Sequence, residues 1–268
     1  MDGRPAGDRL DATVLRTAVT HPIWRRIDIV ADTGSTNADL LARSSAGADI
    51  SGAVLLAESQ SAGRGRHGRN WVTPPGTQIA MSVGVDVAGI GPDRWGWLPL
   101  LTGVALVDTL AATCAVDTRL KWPNDVLVGS DKLAGVLAEV ASPAPAIVVG
   151  LGLNVSSTAD QLPTPTSTSL RMAGVSAPDR NRLVVALLGQ LGTLIERWRR
   201  HNGRDPMLAA DYRRCSATIG TTVRAALPGG ADIVGTALGV DQMGRLRVDD
   251  GNVVQVVSAG DITHLRAT

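Results

Sequence analysis

Hydrophobic and polar positions alternate through much of the chain, in short runs separated by turn residues. Alternation over about four to eight residues predicts a half-buried strand, whereas a repeat near 3.6 residues predicts a helix. The alternating or continuously apolar runs predict strands at 25–31, 52–58, 77–87, 118–122, 125–129, 132–141 and 146–155. Residues 1–24 carry no clear pattern and are predicted to be loosely structured.

Helices are predicted between and after these strands. Residues 33–47 open with small polar capping residues, and residues 95–113 are almost continuously apolar, with Pro99 favouring a helix that begins after it. Asp179 caps a periodic helix that extends to about Arg200, and another helical piece ends near Cys215. The Pro/Thr/Ser tract at 157–169 is predicted to be a loop.

The last fifty residues differ from the rest. Short strands at 221–227, 231–240, 244–250, 252–258 and 261–266 are separated by glycine-rich turns such as 228–230 and 250–251. This texture predicts a small β-barrel. We therefore predict two domains, residues 1–216 and residues 217–268.

Composition narrows the function. The 268 residues are 44% hydrophobic and 19% charged with a net charge of +1, which disfavours a general nucleic-acid or membrane-surface binder. The two cysteines and four histidines show no disulfide framework or metal-ligand spacing. Without a signal peptide or an apolar run of bilayer-spanning length, we expect a cytoplasmic protein with no membrane partner.

The stretch "SAGRGRHGRNW" at 61–71 concentrates arginine between glycines. Its G-x-G-x-x-G pattern is not a dinucleotide loop, because a helix starting there would be cut short by the two prolines at 74–75. It is not a Walker A motif either, since arginine and asparagine replace the lysine and the hydroxyl. A phosphate- or carboxylate-binding loop, a single RNA-binding loop and a solvated loop all stay open at this point.

Only two of the 26 basic residues are lysines, Lys121 and Lys132. A chain so rich in arginine that keeps lysine at these positions indicates a need for a compact ammonium there, although chance clustering is the alternative. Both lysines lie close to polar islands that interrupt apolar strands. The islands are "TGSTN" (33–37), "KWPND" (121–125) and "GLGLN" (150–154). Between the last two lies "DKLAGVLAE" (131–139), an apolar strand headed by Lys132.

These islands and the arginine loop, in this order, resemble the biotin protein ligases. The resemblance is close from Ser35 to Asn154 and looser in the C-terminal strands. It implies an α+β fold, with a mixed or antiparallel sheet flanked by helices, like class II aminoacyl-tRNA synthetases. A small SH3-like barrel would follow that sheet. Related lipoate ligases and octanoyltransferases share the catalytic fold but lack this arginine loop.

The resemblance also implies a two-step reaction. Biotin's carboxylate attacks the α-phosphorus of ATP to give biotinyl-5′-AMP and pyrophosphate, and a lysine of a biotin carboxyl carrier domain then displaces AMP. ATP and biotin would be substrates, and Mg²⁺ would assist. The resemblance does not identify the ligands of Mg²⁺. Fixed positive charge would dominate catalysis, with no nucleic-acid partner.

Residue roles follow from matched positions. Lys132, Arg66 and Asp125 are predicted to be catalytic, with Asp125 orienting the incoming lysine or accepting its proton. The predicted biotin-binding residues are Ser35, Thr36, Asn37, Gln60, Arg64, Gly65, Arg66, Lys132 and Gly135. The predicted ATP-binding residues are Arg64, Arg66, Arg69, Trp71, Lys121, Asn124, Gly150 and Asn154.

Some members of the family carry a DNA-binding domain before the catalytic domain. Only about 26 residues precede the first predicted strand here, so the expectation is a monofunctional ligase. Two alternatives are a lipoate- or octanoyl-transferring enzyme of the same fold and a non-catalytic nucleic-acid-binding module that uses the arginine loop. Binding of biotin against lipoate separates the first alternative, and steep salt dependence of nucleic-acid affinity marks the second.

Overall fold

The structure is a computed structural model that describes residues 9–72, 74–143, 145–227, 232–258 and 261–264. Within them the helices are α1 (Ala12–Ala18), α2 (Thr36–Ser45), α3 (Trp97–Cys114), α4 (Arg180–Arg200) and α5 (Leu208–Cys215). The strands of the first part are β1 (Arg26–Thr33), β2 (Ala53–Gln60), β3 (Gln78–Asp86), β4 (Arg119–Lys121), β5 (Asp125–Val128), β6 (Asp131–Val140) and β7 (Ala146–Asn154). Those of the last part are β8 (Thr222–Ala226), β9 (Asp232–Val240), β10 (Leu246–Asp249), β11 (Val254–Val257) and β12 (Asp261–His264).

The first seven strands form one mixed sheet in the order β1-β2-β3-β7-β6-β5-β4. Only the β1–β2 pair is parallel, joined through α2, and the other pairs are antiparallel. The α+β class and the mixed sheet expected from the sequence are confirmed. All seven predicted strands of this part are present. The continuously apolar runs became β2, β3 and β7, which are buried along most of their length.

The two faces of this sheet have different chemistry. On one face, alternate residues such as Ile79, Leu151 and Leu153 are buried in the main core, which also contains the apolar faces of α3 and α4. The opposite face carries Leu55 and Val148, which pack with α2 in a smaller cluster. Further along, that second face turns polar or bare, and it is this part that holds the functional site.

Two predictions about helices need correction. Residues 1–24 are not wholly irregular, because α1 forms within them; the Asp11 carboxylate accepts from two N–H groups of its first turn, and Leu15 is fully buried. Helix α3 begins at Trp97, before Pro99 rather than after it. Proline is tolerated in a first helical turn because N–H groups there have no partner inside the helix.

The membrane expectation is also corrected in part. The segment Pro92–Cys114 is long and apolar enough to cross a bilayer by length and composition alone. In the fold, 67% of its most apolar stretch is buried, and α3 packs against α4 and the sheet. Its hydrophobicity therefore fits a core helix.

The last five strands form an antiparallel sheet in the order β11-β10-β9-β8-β12, in agreement with the predicted SH3-like domain. The predicted turn at 228–230 lies outside the described residues. Buried Val223, Leu246 and Ile262 from this sheet join the main hydrophobic core. Trp122 adds a polar link, because its indole nitrogen donates to the Gly244 carbonyl over 3.0 Å.

Candidate active site

One cavity of about 570 Å³ opens on the polar face of the seven-stranded sheet. Every residue predicted for the site lines it. These residues are Ser35, Thr36, Asn37, Gln60, Arg64, Gly65, Arg66, Arg69, Trp71, Lys121, Asn124, Asp125, Lys132, Gly135, Gly150 and Asn154. Segments that are far apart in the chain thus converge on a single volume.

The floor of the cavity consists of glycines on adjacent strands. Gly135 on β6 and Gly152 on β7 are cross-strand partners, and Gly150 is two residues from Gly152 on the same face. A Cβ atom on Gly152 would lie 2.3 Å from the Trp71 ring, and one on Gly150 would lie 2.1 Å from Asn37 Oδ1. The alternation in "GLGLN" thus buries leucines in the core and leaves the opposite face open.

The start of α2 forms one end of the cavity. Thr36 N–H donates to Gln60 Oε1 over 2.9 Å, and the Ser35 hydroxyl oxygen caps the helix by accepting from Ala38 N–H. The Ser82 hydroxyl oxygen lies 2.6 Å from Asn37 Oδ1 and 2.7 Å from Thr36 Oγ1. This end therefore presents a dense set of neutral hydrogen-bonding groups, nearly all of them buried.

Sequence reasoning missed Glu139, which joins two parts of the site. Its Oε2 accepts from Asn37 Nδ2 over 2.8 Å and from Arg64 Nη2 over 2.8 Å. Glu139 ends the "KLAGVLAE" motif and lies on the same face of β6 as Gly135. The even spacing between Gly135 and Glu139 places both on the same face of a strand, and this could be read from the sequence. The spacing does not reveal that Asn37 and Arg64 are the hydrogen-bond partners of Glu139.

The arginine loop is a short hairpin between β2 and β3. Arg64 and Asn70 form an antiparallel bridge, Gly65 N–H donates to the Arg69 carbonyl over 2.7 Å, and Trp71 N–H donates to the Gly63 carbonyl over 2.8 Å. A Cβ on Gly63 would lie 2.4 Å from the Trp71 carbonyl oxygen, so the closing pair of the hairpin requires glycine. The spacing of the glycines thus reflects a hairpin and not a helix-initiating phosphate loop.

Trp71 lies flat on the glycine floor. Its Nε1 donates to Gln78 Oε1 over 2.7 Å, and the Lys132 ammonium is 5.8 Å from its ring centroid, within the range of a cation–π contact. The exposed side of the indole faces the cavity. An aromatic surface held in this way is suited to stacking against a planar ligand group.

Lys132 and Asp125 face each other across the bulged pair β5–β6. The Lys132 ammonium lies 2.6 Å from Asp125 Oδ1, with both side chains half-buried. The Lys132 backbone is held by Thr166 and Thr168, which flank a β-bridge to Ser167. The Pro/Thr/Ser tract, predicted as a loop, therefore packs against β6, and its Pro163, Thr164 and Ser167 line the cavity.

The "KWPND" turn connects the cavity to the C-terminal sheet. Asn124 Nδ2 donates to the Val136 carbonyl over 2.8 Å, while Asn124 Oδ1 accepts from Arg66 over 3.4 Å. The Trp122 N–H donates to Thr218 Oγ1 over 3.0 Å. Ile262 and Thr263 of β12 also line the cavity, which sequence reasoning did not anticipate.

His264 follows these two residues and lies 3.0 Å from Thr218 Oγ1 through its Nε2. Burial, and then the positive charge of Lys121, lower the pKa of His264 below its ordinary value of 6.5. The imidazole therefore resists protonation beside the Lys121 ammonium.

The charge of the cavity wall is predominantly positive. Arg64, Arg66, Arg69, Lys121 and Lys132 line it, and Asp125 is the one acidic side chain among its described lining residues. No group of three His, Cys, Asp or Glu side chains within the described chain is arranged to hold a metal ion. A wall with this excess of positive charge favours the binding of an anionic ligand.

Family comparisons give two matches on this chain. Residues 34–154 match the biotin/lipoate A/B protein ligase family, and residues 218–265 match the biotin protein ligase C-terminal domain. These two spans hold the arginine loop, the polar islands and the five-stranded sheet.

Individual proteins show the same likeness. The chain is 54% identical to a biotin–[acetyl-CoA-carboxylase] ligase of Mycobacterium tuberculosis, over 91% of this chain and 90% of that protein. It is 31% identical to the bifunctional ligase/repressor BirA of Escherichia coli, over 85% of this chain and 71% of that one. A biotin protein ligase from Aquifex aeolicus, solved in complex with biotin and ATP, shares the fold with a TM-score of 0.76 at 22% identity, covering 91% of this chain and 100% of that one.

Proposed function

This chain belongs to the biotin protein ligase family, and from that membership we infer the reaction that its cavity performs. The protein is a ligase that activates biotin with ATP and transfers the biotin to the carrier domain of a carboxylase. The observation that connects the family to this chemistry is the composition of one cavity. Cationic side chains from the arginine loop and from β6 line it, and neutral polar side chains form one of its ends. A lipoate-specific enzyme or a nucleic-acid module has no comparable support, because the named relatives are biotin ligases.

We assign the neutral end to the ring of biotin. Ser35, Thr36, Asn37 and Gln60 supply both donors and acceptors there, as a cyclic urea requires, since it carries two N–H groups and one carbonyl. The glycine floor next to them, including Gly135, leaves room for the apolar remainder of the molecule.

We assign the positive middle of the cavity to the reacting groups. In the first step a biotin carboxylate oxygen bonds to the α-phosphorus of ATP, and the bond to the departing pyrophosphate breaks. Negative charge builds up on the phosphorus oxygens, and Arg66 and Lys132 would stabilise it from two sides, with Arg64 and Gly65 completing the wall. The Lys132 ammonium would exchange its contact with Asp125 for the acyl phosphate.

The second step needs a neutral amine. The carrier lysine attacks the acyl carbon, AMP departs with the bonding electrons, and the amine loses a proton. Asp125 is the acidic side chain of the described cavity wall, so we propose it as the group that orients this amine or accepts its proton. Transfer of preformed biotinyl-AMP by Asp125→Asn at the unmodified rate would exclude that role.

We assign the remaining end to the nucleotide. Trp71 offers its ring face to the purine, while Arg69, Lys121, Asn124 and Asn154 surround it. Gly150, also expected at the nucleotide from the sequence, lies beside Asn37, so we assign it to the biotin end. Mg²⁺ would add Lewis-acid stabilisation of the phosphates. The donor set suits an ion held mainly by phosphate oxygens, because Asp125 is the single described carboxylate in the wall and it already pairs with Lys132.

We further propose residues 1–216 as the catalytic domain and residues 217–268 as the C-terminal domain, which is consistent with a second sheet that starts at Thr222. The acceptor is proposed to be a biotin carboxyl carrier domain in the cytoplasm.

Biotin-dependent exchange of radiolabelled pyrophosphate into ATP tests the first step. We expect exchange with biotin and none with lipoate or octanoate. Addition of a carrier domain should then give biotinylation at its lysine, while a carrier with that lysine changed to arginine serves as the control. Exchange supported by lipoate, or no exchange with any of the acids, would refute the assignment.

A further inference from the structure

Two buried side-chain amides at the nucleotide end each keep one atom without a partner. Gln78 on β3 and Asn154 on β7 are paired in register, so both side chains lie on the cavity face of the sheet. Gln78 is fully buried, and Asn154 is 3% exposed. Among the residues that the structure describes, Gln78 Nε2 and Asn154 Oδ1 have no hydrogen-bond partner.

Hydrogen-bond chemistry determines which way each amide points. An indole nitrogen can only donate, so the Gln78 atom that is 2.7 Å from Trp71 Nε1 must be the oxygen. A carbonyl can only accept, so the Asn154 atom that is 2.9 Å from the Thr168 carbonyl must be the nitrogen. The unused atoms are therefore a donor on Gln78 and an acceptor on Asn154.

Unpaired polar atoms of this kind are rare, because a buried donor or acceptor that has lost water is destabilising unless something replaces the water. Asn154 lines the cavity, and Gln78 is bonded to the lining residue Trp71. A donor and an acceptor side by side, next to an aromatic ring, are complementary to the edge of a base that carries an acceptor beside a donor.

We propose that Gln78 is a specificity-determining residue for the nucleotide. This inference rests on the function proposed above. Gln78 Nε2 donates to a ring nitrogen of adenine, either N1 or N7, while Asn154 Oδ1 accepts from the exocyclic amino group that both nitrogens flank. Trp71 keeps the Gln78 amide in the required orientation and packs against the same base.

The test measures kcat/KM for biotin-dependent pyrophosphate exchange with ATP, 1-deaza-ATP and 7-deaza-ATP, in which one ring nitrogen is replaced by C–H. The unmodified protein should use one of the two analogues at least tenfold less well than ATP. In Gln78→Glu, an acceptor for Trp71 remains but the donor becomes an acceptor. In Gln78→Met, both groups are lost. Both variants should lower kcat/KM for ATP and bring its ratio to the affected analogue close to one, with KM for biotin unchanged.

A structural role of Gln78 would lower activity with all three nucleotides equally and leave their ratios intact. Gln190→Met on α4, which packs on the opposite face of the sheet, is the matched control and should keep the ratios of the unmodified protein. The inference is overturned if both deaza analogues are used as well as ATP, as expected when a bound water satisfies the two atoms. It is overturned equally if the Gln78 variants discriminate as before. Absence of biotin-dependent exchange in the unmodified protein would instead be a failure of the proposed function.

Discussion

Lys132 illustrates how much depends on the shape of a single charged group. Its ammonium contacts Asp125 at 2.6 Å and lies 5.8 Å from the Trp71 ring, a space suited to a compact point charge. An arginine side chain is longer, and its planar guanidinium points its N–H groups in fixed directions. Arginine therefore cannot place the same charge at the position of the Lys132 ammonium. The sparing use of lysine in this chain is explained if both lysines serve the same anionic ligand.

For Lys132→Arg we therefore expect biotin-dependent pyrophosphate exchange to fall on the order of 100-fold, the size typical of a lost electrostatic contact to a transition state. Thermal unfolding should change little, since the positive charge stays. Arg200→Lys on the exposed side of α4 is the matched control and should retain full activity. Wild-type exchange in Lys132→Arg would mean that the charge alone matters.

Glu139 gives a second prediction for a single residue. Glu139→Gln keeps an acceptor for Asn37 but loses the ion pair to Arg64, which is half-exposed and so contributes only about 1 kcal/mol or less. Glu139→Ala also removes the partner of the buried Asn37 amide, a loss of about 1–3 kcal/mol. KM for biotin should therefore rise a few-fold in the first variant and about tenfold or more in the second.

Glu196→Gln, which breaks an exposed ion pair on α4, is the control for Glu139 and should leave both Michaelis constants unchanged. If the two Glu139 variants had the same KM for biotin, the contact to Asn37 would contribute nothing to the pocket.

At the level of elements, the bare face of β6 and β7 is what turns a sheet into a binding site. Alternation assigns one face to the core, and Gly150 and Gly152 on β7, with Gly135 on β6, leave part of the other face free of side chains. Helix α2 packs on the same face, so its polar N-terminal residues stand at the edge of the opening.

Gly150→Ala tests this arrangement. The added methyl group would lie 2.1 Å from Asn37 Oδ1, so Asn37 must move away from the position held by Ser82 and Glu139. We expect KM for biotin to rise at least about tenfold while KM for ATP stays nearly constant, as steady-state kinetics would show. Gly189→Ala on α4 meets no atom within 4 Å and should be neutral or slightly stabilising. Equal increases in both Michaelis constants would indicate general disruption of the sheet.

On the scale of the whole molecule, the C-terminal sheet completes the site as well as the core. Trp122, Thr218 and His264 form a chain of contacts that connects the "KWPND" turn to β12. Because β12 also lines the cavity, the seating of the C-terminal sheet and the adjoining wall of the cavity depend on the same contacts.

The lowered pKa of His264 predicts a pH dependence of stability. The unfolded chain binds a proton near its ordinary pKa of 6.5, whereas the folded chain resists protonation at that pH. The neutral His264 therefore contributes fully to the free energy of unfolding above pH 6.5. This contribution decreases as the pH falls from 6.5 towards the pKa of His264 in the folded chain. Denaturant midpoints between pH 8 and pH 5 should decline less steeply for His264→Gln than for the unmodified protein. A His264→Gln curve identical to that of the unmodified protein would exclude the effect.

The amino-acid sequence by itself determined the strands and most helices, because alternation and capping act over a few residues. The glycines and polar residues that a simple core would not contain marked the arginine loop and the polar islands. The individual site residues followed from the resemblance of these segments to the biotin protein ligases. Helix α1 and the start of α3 were not predicted from the sequence. Helix α1 is a short segment held by packing, and the start of α3 depends on how a first helical turn accommodates proline.

Only the tertiary structure decided which of these groups meet. Glu139 pairs with Asn37 and Arg64, which are 102 and 75 residues away along the chain. The docked tract at 163–167 and the contribution of β12 have the same origin, and so does the unpaired donor on Gln78. Local pattern carries no information on strand order, and it is strand order, β3 beside β7 beside β6, that brings these distant residues within hydrogen-bonding distance.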